Sequence, residues 1–147
     1  MKKTLFTLTL LISLSSFGQL TLNEIIKVSK MDRESFEMYS LNNNFQFYEI
    51  DENEDFNRFT MVKGRVGNTE YLSHYFYSSK IRSNYQFSIG KLQDIYKELK
   101  AIGFKLVNSR NSEFGYEKTY ERSNKEEIYI LINSQNPKFE IDYSKEI

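Results

Sequence analysis

The sequence of 147 residues contains no cysteine, no tryptophan, one histidine, one proline and six glycines. Without cysteine there is no disulfide, no thiolate metal site, no cysteine nucleophile and no N-terminal cysteine to carry a lipid. One histidine cannot supply the pair of imidazoles typical of zinc sites. The glycines form neither GxGxxG nor GxxxxGK, so no phosphate-binding glycine loop is predicted. The sequence therefore predicts no metal ion and no cofactor.

Charge of neither sign dominates the sequence. There are 20 lysines and arginines and 20 aspartates and glutamates, and Lys2 and Lys3 belong to the extreme N-terminus. Nucleic acids and anionic membranes are bound by strongly basic surfaces, so we expect neither to be the main partner. Hydrophobic residues make up 39% of the chain, which is too high for disorder and predicts one folded domain.

The N-terminal stretch MKKTLFTLTLLISLSSFGQL has the pattern of a secretory signal peptide. Lys2 and Lys3 precede an apolar run, and small residues follow near Ser16 and Gly18. The run is shorter than the ~20 residues that span a bilayer. We therefore expect residues 1–18 to be a signal peptide that is cut near Gly18 and Gln19. Residues 19–147 would form a single exported α+β domain, periplasmic or secreted, with no membrane span.

Three helices are predicted from their boundary signals. Thr21 followed by Glu24 matches a capping box and predicts a short first helix. Asp32 predicts the start of a second helix, and Asn44 a left-handed stop at its end. The stretch GKLQDIYKELKAIGF predicts a third helix that ends before Gly103. Its apolar stripe at helical spacing consists of Leu92, Ile95, Leu99 and Ile102.

Eight segments alternate apolar and polar residues and predict strands. They are NFQFYEI, NRFTMVK, EYLSHYFY and NYQFSI before the third helix, and FKLVN, YEKTYER, EIYILIN and KFEIDY after it. We therefore predict an α+β fold with an antiparallel sheet of about eight strands and helices on one face. EIYILIN is apolar on both faces and is predicted to be central. KFEIDY points Glu140 and Asp142 outward and is predicted to be an edge strand.

The two halves of the chain suggest two tandem α-β-β-β-β units. NFQF, beginning at Asn44, and GFKL, beginning at Gly103, both follow a helix and both lead into three more strands. Similarity of all helix-to-strand junctions would explain the same pattern without a repeat. In architecture alone, the predicted arrangement is similar to tandem-unit proteins such as the exported β-lactamase inhibitors, whose open sheet binds a protein partner. No motif carries this comparison, so it implies an arrangement and not a family.

Tyrosines on the third predicted strand are the candidate binding residues. Tyr71, Tyr75 and Tyr77 share one face of the strand, and Leu72 and Phe76 share the other. If the Leu72 face meets the helices, the tyrosines face outward. Tyrosine suits an interface because it combines a rigid apolar ring with a hydroxyl that stays hydrated. A core role for the same aromatic stripe is the alternative.

Other candidate sites have weaker patterns. His74 lies beside Leu72 and Phe76, which predicts a half-buried, hydrogen-bonded ring. The segment DENED places the oxygen donors Asp51, Asn53 and Asp55 at the first, third and fifth positions of a calcium loop. Phe56 stands where the loop needs glycine and Val62 where it needs the bidentate glutamate. A pair of carboxylates for glycoside hydrolysis would have to come from a set of five residues: Glu49, Asp51, Glu117, Glu121 and Asp142.

Our leading hypothesis is a non-enzymatic exported module that recognises a cell-envelope protein or glycan through the helix-free face of its sheet. One alternative is a small exported hydrolase that uses carboxylates or His74. Another is a structural protein in which an exposed strand such as KFEIDYSKEI adds to the sheet of another chain. The oligomeric state is left open by the sequence.

Overall fold

The structure is a computed structural model that describes residues 19–65, 68–77, 79–123, 125–133, 135 and 138–147, with only the backbone described at Arg65 and Asn68. The predicted signal peptide, residues 1–18, lies outside the described residues. The helices are α1 (Leu22–Val28), α2 (Arg33–Asn42) and α3 (Leu92–Ala101), the last preceded by a 3₁₀ turn at Ile89–Lys91. The strands are β1 (Gln46–Glu52), β2 (Asn57–Arg65), β3 (Asn68–Phe76), β4 (Lys80–Ser88), β5 (Lys105–Ser112), β6 (Gly115–Ser123), β7 (Glu126–Ile132) and β8 (Lys138–Glu146). Across these described ranges, no helix has both the length and the apolar content needed to cross a membrane.

One antiparallel sheet of eight strands forms the body of the protein, which confirms the predicted α+β class. Its strand order is β1-β2-β3-β4-β8-β7-β6-β5. The prediction that KFEIDY is an edge strand is wrong, because β8 pairs with β4 on one side and β7 on the other. Its outward Glu140 and Asp142 lie on the uncovered face of a central strand, and polar alternation reports an uncovered face rather than an edge. The edges are β1 and β5.

The helices pack on one side of the sheet, and the core lies between them. Ser83 on β4 donates a hydrogen bond to the carbonyl of Ile25 in α1, and Phe36 of α2 lies 5.2 Å from the ring of His74 on β3. Tyr96 of α3 contacts Tyr120 on β6 with 6.2 Å between ring centroids. The largest fully buried side chains of this core include Tyr85, Tyr143, Phe36, Phe45, Phe87 and Phe139.

The local signals in the sequence act as predicted. Thr21 and Glu24 form a complete capping box at α1, and the Asp32 side chain accepts a hydrogen bond from the Ser35 amide at the start of α2. The pKa of Asp32 is lowered because these hydrogen bonds favour the carboxylate. Asn44 and Gly103 end α2 and α3 with φ angles of 63° and 87°. After each of these two residues the chain continues directly into an edge strand.

The chain consists of two tandem α-β-β-β-β units. Adding 59 to each residue number superimposes α2 on α3, β1 on β5 and β2 on β6 in the sequence. The bulge between Phe47 and Glu49 in β1 then matches the bulge between Leu106 and Asn108 in β5. The sheet order reads the same from either edge to the seam between β4 and β8. Asn84 pairs with Asp142 at this seam, so the pseudo-twofold axis of the two units passes between them. Among the residues that the structure describes, the second unit has no equivalent of α1.

A cluster of a cation, a carboxylate, a tyrosine and a phenylalanine is repeated in the two units. In the first unit the Lys63 ammonium lies 4.6 Å from the centroid of the Phe45 ring and 3.5 Å from Glu70, which accepts a hydrogen bond from the Tyr85 hydroxyl. The second unit repeats each of these contacts with Arg122 over Phe104 at 4.8 Å, Arg122 to Glu126 at 2.7 Å and Tyr143 to Glu126 at 3.3 Å. Each cluster ties one edge of the core to the central strands.

Candidate binding face

The side of the sheet opposite the helices, here called the open face, carries the tyrosines singled out in the sequence. Leu72 and His74 point toward the helices and are buried, so neighbouring residues on β3 point the other way. The structure therefore places Tyr71 and Tyr75 on the open face and extends the row to Tyr77 just beyond the strand. All three tyrosines are half-buried. The part of each ring that remains exposed is available to a partner.

The open face brings two further aromatic rings to this row, which together form the aromatic ridge of Tyr48, Phe56, Tyr71, Tyr75 and Tyr77. Tyr75 and Tyr77 are stacked, with 6.0 Å between centroids and 13° between planes. Phe56 lies 5.5 Å from Tyr75 and 5.2 Å from Tyr77. Tyr48 contacts Tyr71 edge to face at 5.5 Å. These mutual contacts fix the rings in place and reduce the entropy that a partner would have to remove.

Sequence reasoning missed Tyr48 and Phe56 as members of this surface. Tyr48 is the extra residue of the β1 bulge, where alternation counted from Phe47 and from Ile50 gives opposite sides, so the pattern alone does not place it beside Tyr71. Phe56 lies in the loop between β1 and β2, where no strand periodicity applies. The available signal for Phe56 was that a large aromatic residue directly follows the acidic segment DENED.

An arginine and a carboxylate adjoin the ridge at the seam of the sheet. The Arg82 guanidinium donates from Nε to both oxygens of Asp142 at 2.9 and 2.8 Å, and from Nη1 to the Tyr77 hydroxyl at 3.4 Å. Its Cζ atom lies 4.6 Å from the Tyr75 ring centroid. The Asp142 carboxylate raises the pKa of Arg82, so this cation stays charged. The ridge is therefore anchored to a fixed positive charge.

A shallow depression beside this ion pair adds polar groups to the open face. Its volume is about 280 Å³. Burial raises the pKa of Asp142, and hydrogen bonds from Arg82 act against this rise. Burial and a hydrogen bond to Glu117 raise the pKa of Tyr129 to about 12, so its hydroxyl keeps its proton. The lining residues are Lys80, Arg82, Glu127, Tyr129, Asp142 and Ser144.

His74 lies on the helix side and does not reach the open face. It is 1% exposed, more completely buried than the sequence predicted. Nε2 lies 3.0 Å from the Met31 carbonyl oxygen and Nδ1 3.1 Å from that of Arg82. Burial lowers the pKa of His74, while these two hydrogen bonds oppose the change. The ring links the α1–α2 connection to the sheet, which is a structural position.

The carboxylates considered for hydrolysis lie at three places in the sheet, and those that lie together are held by arginines. Glu49 and Asp51 on β1 share Arg58 at 2.8 and 3.3 Å, whereas Glu117 on β6 pairs with Arg110 at 2.6 Å. Asp142 lies at the seam with Arg82, and Glu121 is exposed near the end of β6. Strands lie about 4.8 Å apart, so β1 and β8 are separated by nearly 20 Å.

The DENED loop closes on its own backbone. Asn53 Oδ1 accepts hydrogen bonds from the amides of Asp55 and Phe56 at 3.0 and 3.1 Å, which is the geometry of an Asx turn. Asp51, the first donor of the calcium pattern, pairs instead with Arg58. Across the described ranges, no group of three or more histidine, aspartate or glutamate side chains is placed to hold a metal ion.

Comparison of the chain with protein-family models, with curated proteins and with solved structures finds no match.

Proposed function

We propose that the protein is an exported binding module that recognises a cell-envelope protein or glycan through the open face of its sheet. The observation that carries this proposal is the aromatic ridge, in which five rings lie together on the side of the sheet without helices. Tyrosines that are held in place by neighbours and adjoin an arginine have the composition of an interaction hot spot. The export signal in the sequence supports the envelope as the place of binding.

The depression next to the ridge supports a partner that offers both apolar and polar groups. Aromatic rings contribute most of the apolar contact area at such sites, and a few fixed polar groups give orientation. Here Arg82 and Asp142 hold each other in place, while Tyr129 and Ser144 offer hydroxyl groups at the rim. A peptide segment and a sugar chain both fit this chemistry.

The experiment that tests the proposal measures binding of the protein and two variants to material from the cell envelope. In the first variant Tyr71, Tyr75 and Tyr77 are changed to serine. In the control variant Phe114 and Tyr116 are changed to serine. Both control residues are exposed aromatics in the β5–β6 hairpin, outside the aromatic ridge. Circular dichroism and thermal unfolding establish that all three proteins are folded.

We expect a partner that is captured by the protein and by the control variant, and that binds the tyrosine variant about 100-fold more weakly once purified. Protease treatment of the extract removes a protein partner, and periodate oxidation removes a glycan, so the two classes are distinguished. Equal dissociation constants for the three proteins would contradict the role of the ridge.

A further inference from the structure

The two edge strands of the sheet expose apolar side chains on the helix side. Phe47 and Ile50 on β1 are 57% and 40% exposed, and Leu106 on β5 is 50% exposed. Among the described strands, β1 pairs only with β2 and β5 only with β6. An edge strand with exposed apolar residues is a template for pairing with another strand. Both ends of the sheet are therefore open to extension.

The two ends differ in charge although they are equivalent in the repeat. Residues 32–58, which contain α2 and β1, carry eight acidic residues and two arginines. The equivalent residues 91–117, which contain α3 and β5, carry five basic and four acidic residues. The acids of the first end are Asp32, Glu34, Glu37, Glu49, Asp51, Glu52, Glu54 and Asp55. The bases of the second end are Lys91, Lys97, Lys100, Lys105 and Arg110.

We propose that the protein associates head to tail, with β5 of one copy pairing with β1 of the next copy. Pairing of two β1 edges would bring like acidic ends together, and pairing of two β5 edges would bring Lys105 of both copies to the same interface, where Arg110 is already paired with Glu117. Like charges opposite each other destabilise a strand pair. Pairing of β1 with β5 instead brings opposite charges together.

The strand directions suit this arrangement. The first and last strands of an eight-stranded antiparallel sheet run in opposite directions, so β5 of one copy is antiparallel to β1 of an identically oriented neighbour. The helices of both copies then lie on the same side. Sheet hydrogen bonding continues from one copy into the next without any change of fold.

One register of the new strand pair gives favourable side-chain contacts on both faces of the sheet. If Leu106 is opposite Ile50, Lys105 is opposite Asp51, because residues in an antiparallel pair advance in opposite directions. Leu106 and Ile50 lie on the helix side of their strands, whereas Lys105 and Asp51 lie on the open face. An apolar contact forms on one side and an ion pair on the other. Arg58 already pairs with both Glu49 and Asp51, so one of these two carboxylate charges remains uncompensated.

Such an interface uses different surfaces on the two copies and leaves a free edge at each end. Repetition therefore produces an open chain of molecules rather than a closed dimer. Association increases with protein concentration and weakens with salt, since exposed charges are screened over about 10 Å at 0.1 M. The interface lies at the sheet edges and does not involve Tyr71 and Tyr75 on β3 or Tyr77 just beyond it.

The test is sedimentation velocity over a concentration series at low and high salt, on the protein and on three charge variants. We expect Lys105→Glu and Asp51→Lys each to weaken association about tenfold. We expect the double variant to recover to within about threefold of the unmodified protein, because its exchanged charges again meet as opposites. Thermal unfolding checks that every variant is folded.

Engineered cysteines test the register, since the chain has none of its own. We expect a mixture of the Ile50→Cys and Leu106→Cys variants to form a disulfide between the two proteins on mild oxidation. Neither variant is expected to cross-link with itself. The proposal would be overturned by a monomer at millimolar concentration and low salt, by self-cross-linking of either variant, or by a double charge variant as weak as the singles.

Discussion

The two equivalent clusters share the same contacts in the two units but differ in exposure. Lys63 and Glu70 in the first unit have side chains that are 5% and 9% exposed, whereas Arg122 in the second unit is 30% exposed. Glu126 in the second unit also contacts Lys145, at 3.3 Å. The repeat thus preserves a cation, a carboxylate, a tyrosine and a phenylalanine while it changes how much water reaches them. The two units therefore share the contacts of the cluster, whereas the free energy that each ion pair contributes depends on its own exposure to water.

The largest expected difference concerns the two carboxylates. We expect Glu70→Gln to reduce the free energy of unfolding by about 3–5 kcal/mol, because the amide removes the negative charge facing the buried Lys63 ammonium. Glu126→Gln is expected to cost about 1–2 kcal/mol, since Arg122 is partly hydrated. Urea denaturation followed by circular dichroism measures both. Glu127→Gln, at an exposed position next to Glu126, serves as the control and is expected to change stability by less than about 0.5 kcal/mol.

An equal loss for Glu70→Gln and Glu126→Gln would show that the difference in exposure has no energetic consequence. A larger loss for Glu126→Gln would mean that the second cluster is the more strongly coupled of the two.

The pH dependence of stability sharpens the same comparison. Hydrogen bonds from Arg122 lower the pKa of Glu126 from its ordinary value of 4.5 to about 2. Because the folded pKa is depressed, the stabilisation by this carboxylate is complete above about pH 4.5 and is lost as the pH falls toward 2. We expect the stability difference between the protein and Glu126→Gln to shrink across this window. Denaturation curves at pH 6, 4 and 3 measure it, and a difference that stays constant from pH 6 to 3 would contradict the assignment.

The smallest expected effects concern the residues that end the helices. Gly103 has a φ of 87°, and an added Cβ would lie 4.0 Å from Arg122 Cδ, so the cost of Gly103→Ala is conformational, about 1 kcal/mol. Asn44 holds the same position in the first unit at a φ of 63°. We therefore expect Asn44→Gly to be neutral or to stabilise by a few tenths of a kcal/mol. Thermal unfolding measures whether each substitution raises or lowers stability. A loss of about 1 kcal/mol for Asn44→Gly would show that the Asn44 side chain itself stabilises the fold.

Much of the fold could be predicted because its local signals are strong. The capping box at Thr21, the cap at Asp32 and the left-handed residues Asn44 and Gly103 place the helix boundaries within a residue or two. All eight strand segments are confirmed. The beginning of β4 was predicted as loop, because Ser83 occupies an inward position where an apolar residue was expected. It is buried through a hydrogen bond to α1, a partner that the strand pattern alone does not reveal.

The sequence suggested the repeat but did not reveal which residues of the two units are equivalent, and it misplaced β8 because an uncovered face gives the same polar alternation as an edge. The offset between equivalent residues changes from 59 in the first two strands of each unit to 56 in the third and 58 in the fourth, because the turns differ in length. No single alignment of the two halves therefore matches Glu70 with Glu126 and Lys63 with Arg122 together. For the candidate site, alternation was enough to group Tyr71, Tyr75 and Tyr77, whereas Tyr48 depends on a bulge.

Helix α1 has a consequence for the order of events during synthesis. Its Leu22 amide donates to Glu98 of α3, a partner 76 residues later in the chain. At about 5–20 residues per second, roughly 4–15 s separate the synthesis of these two groups. Helix α1 therefore cannot complete this contact until α3 has been synthesised. A fragment that ends before Glu98 would leave the first amide of α1 without this partner.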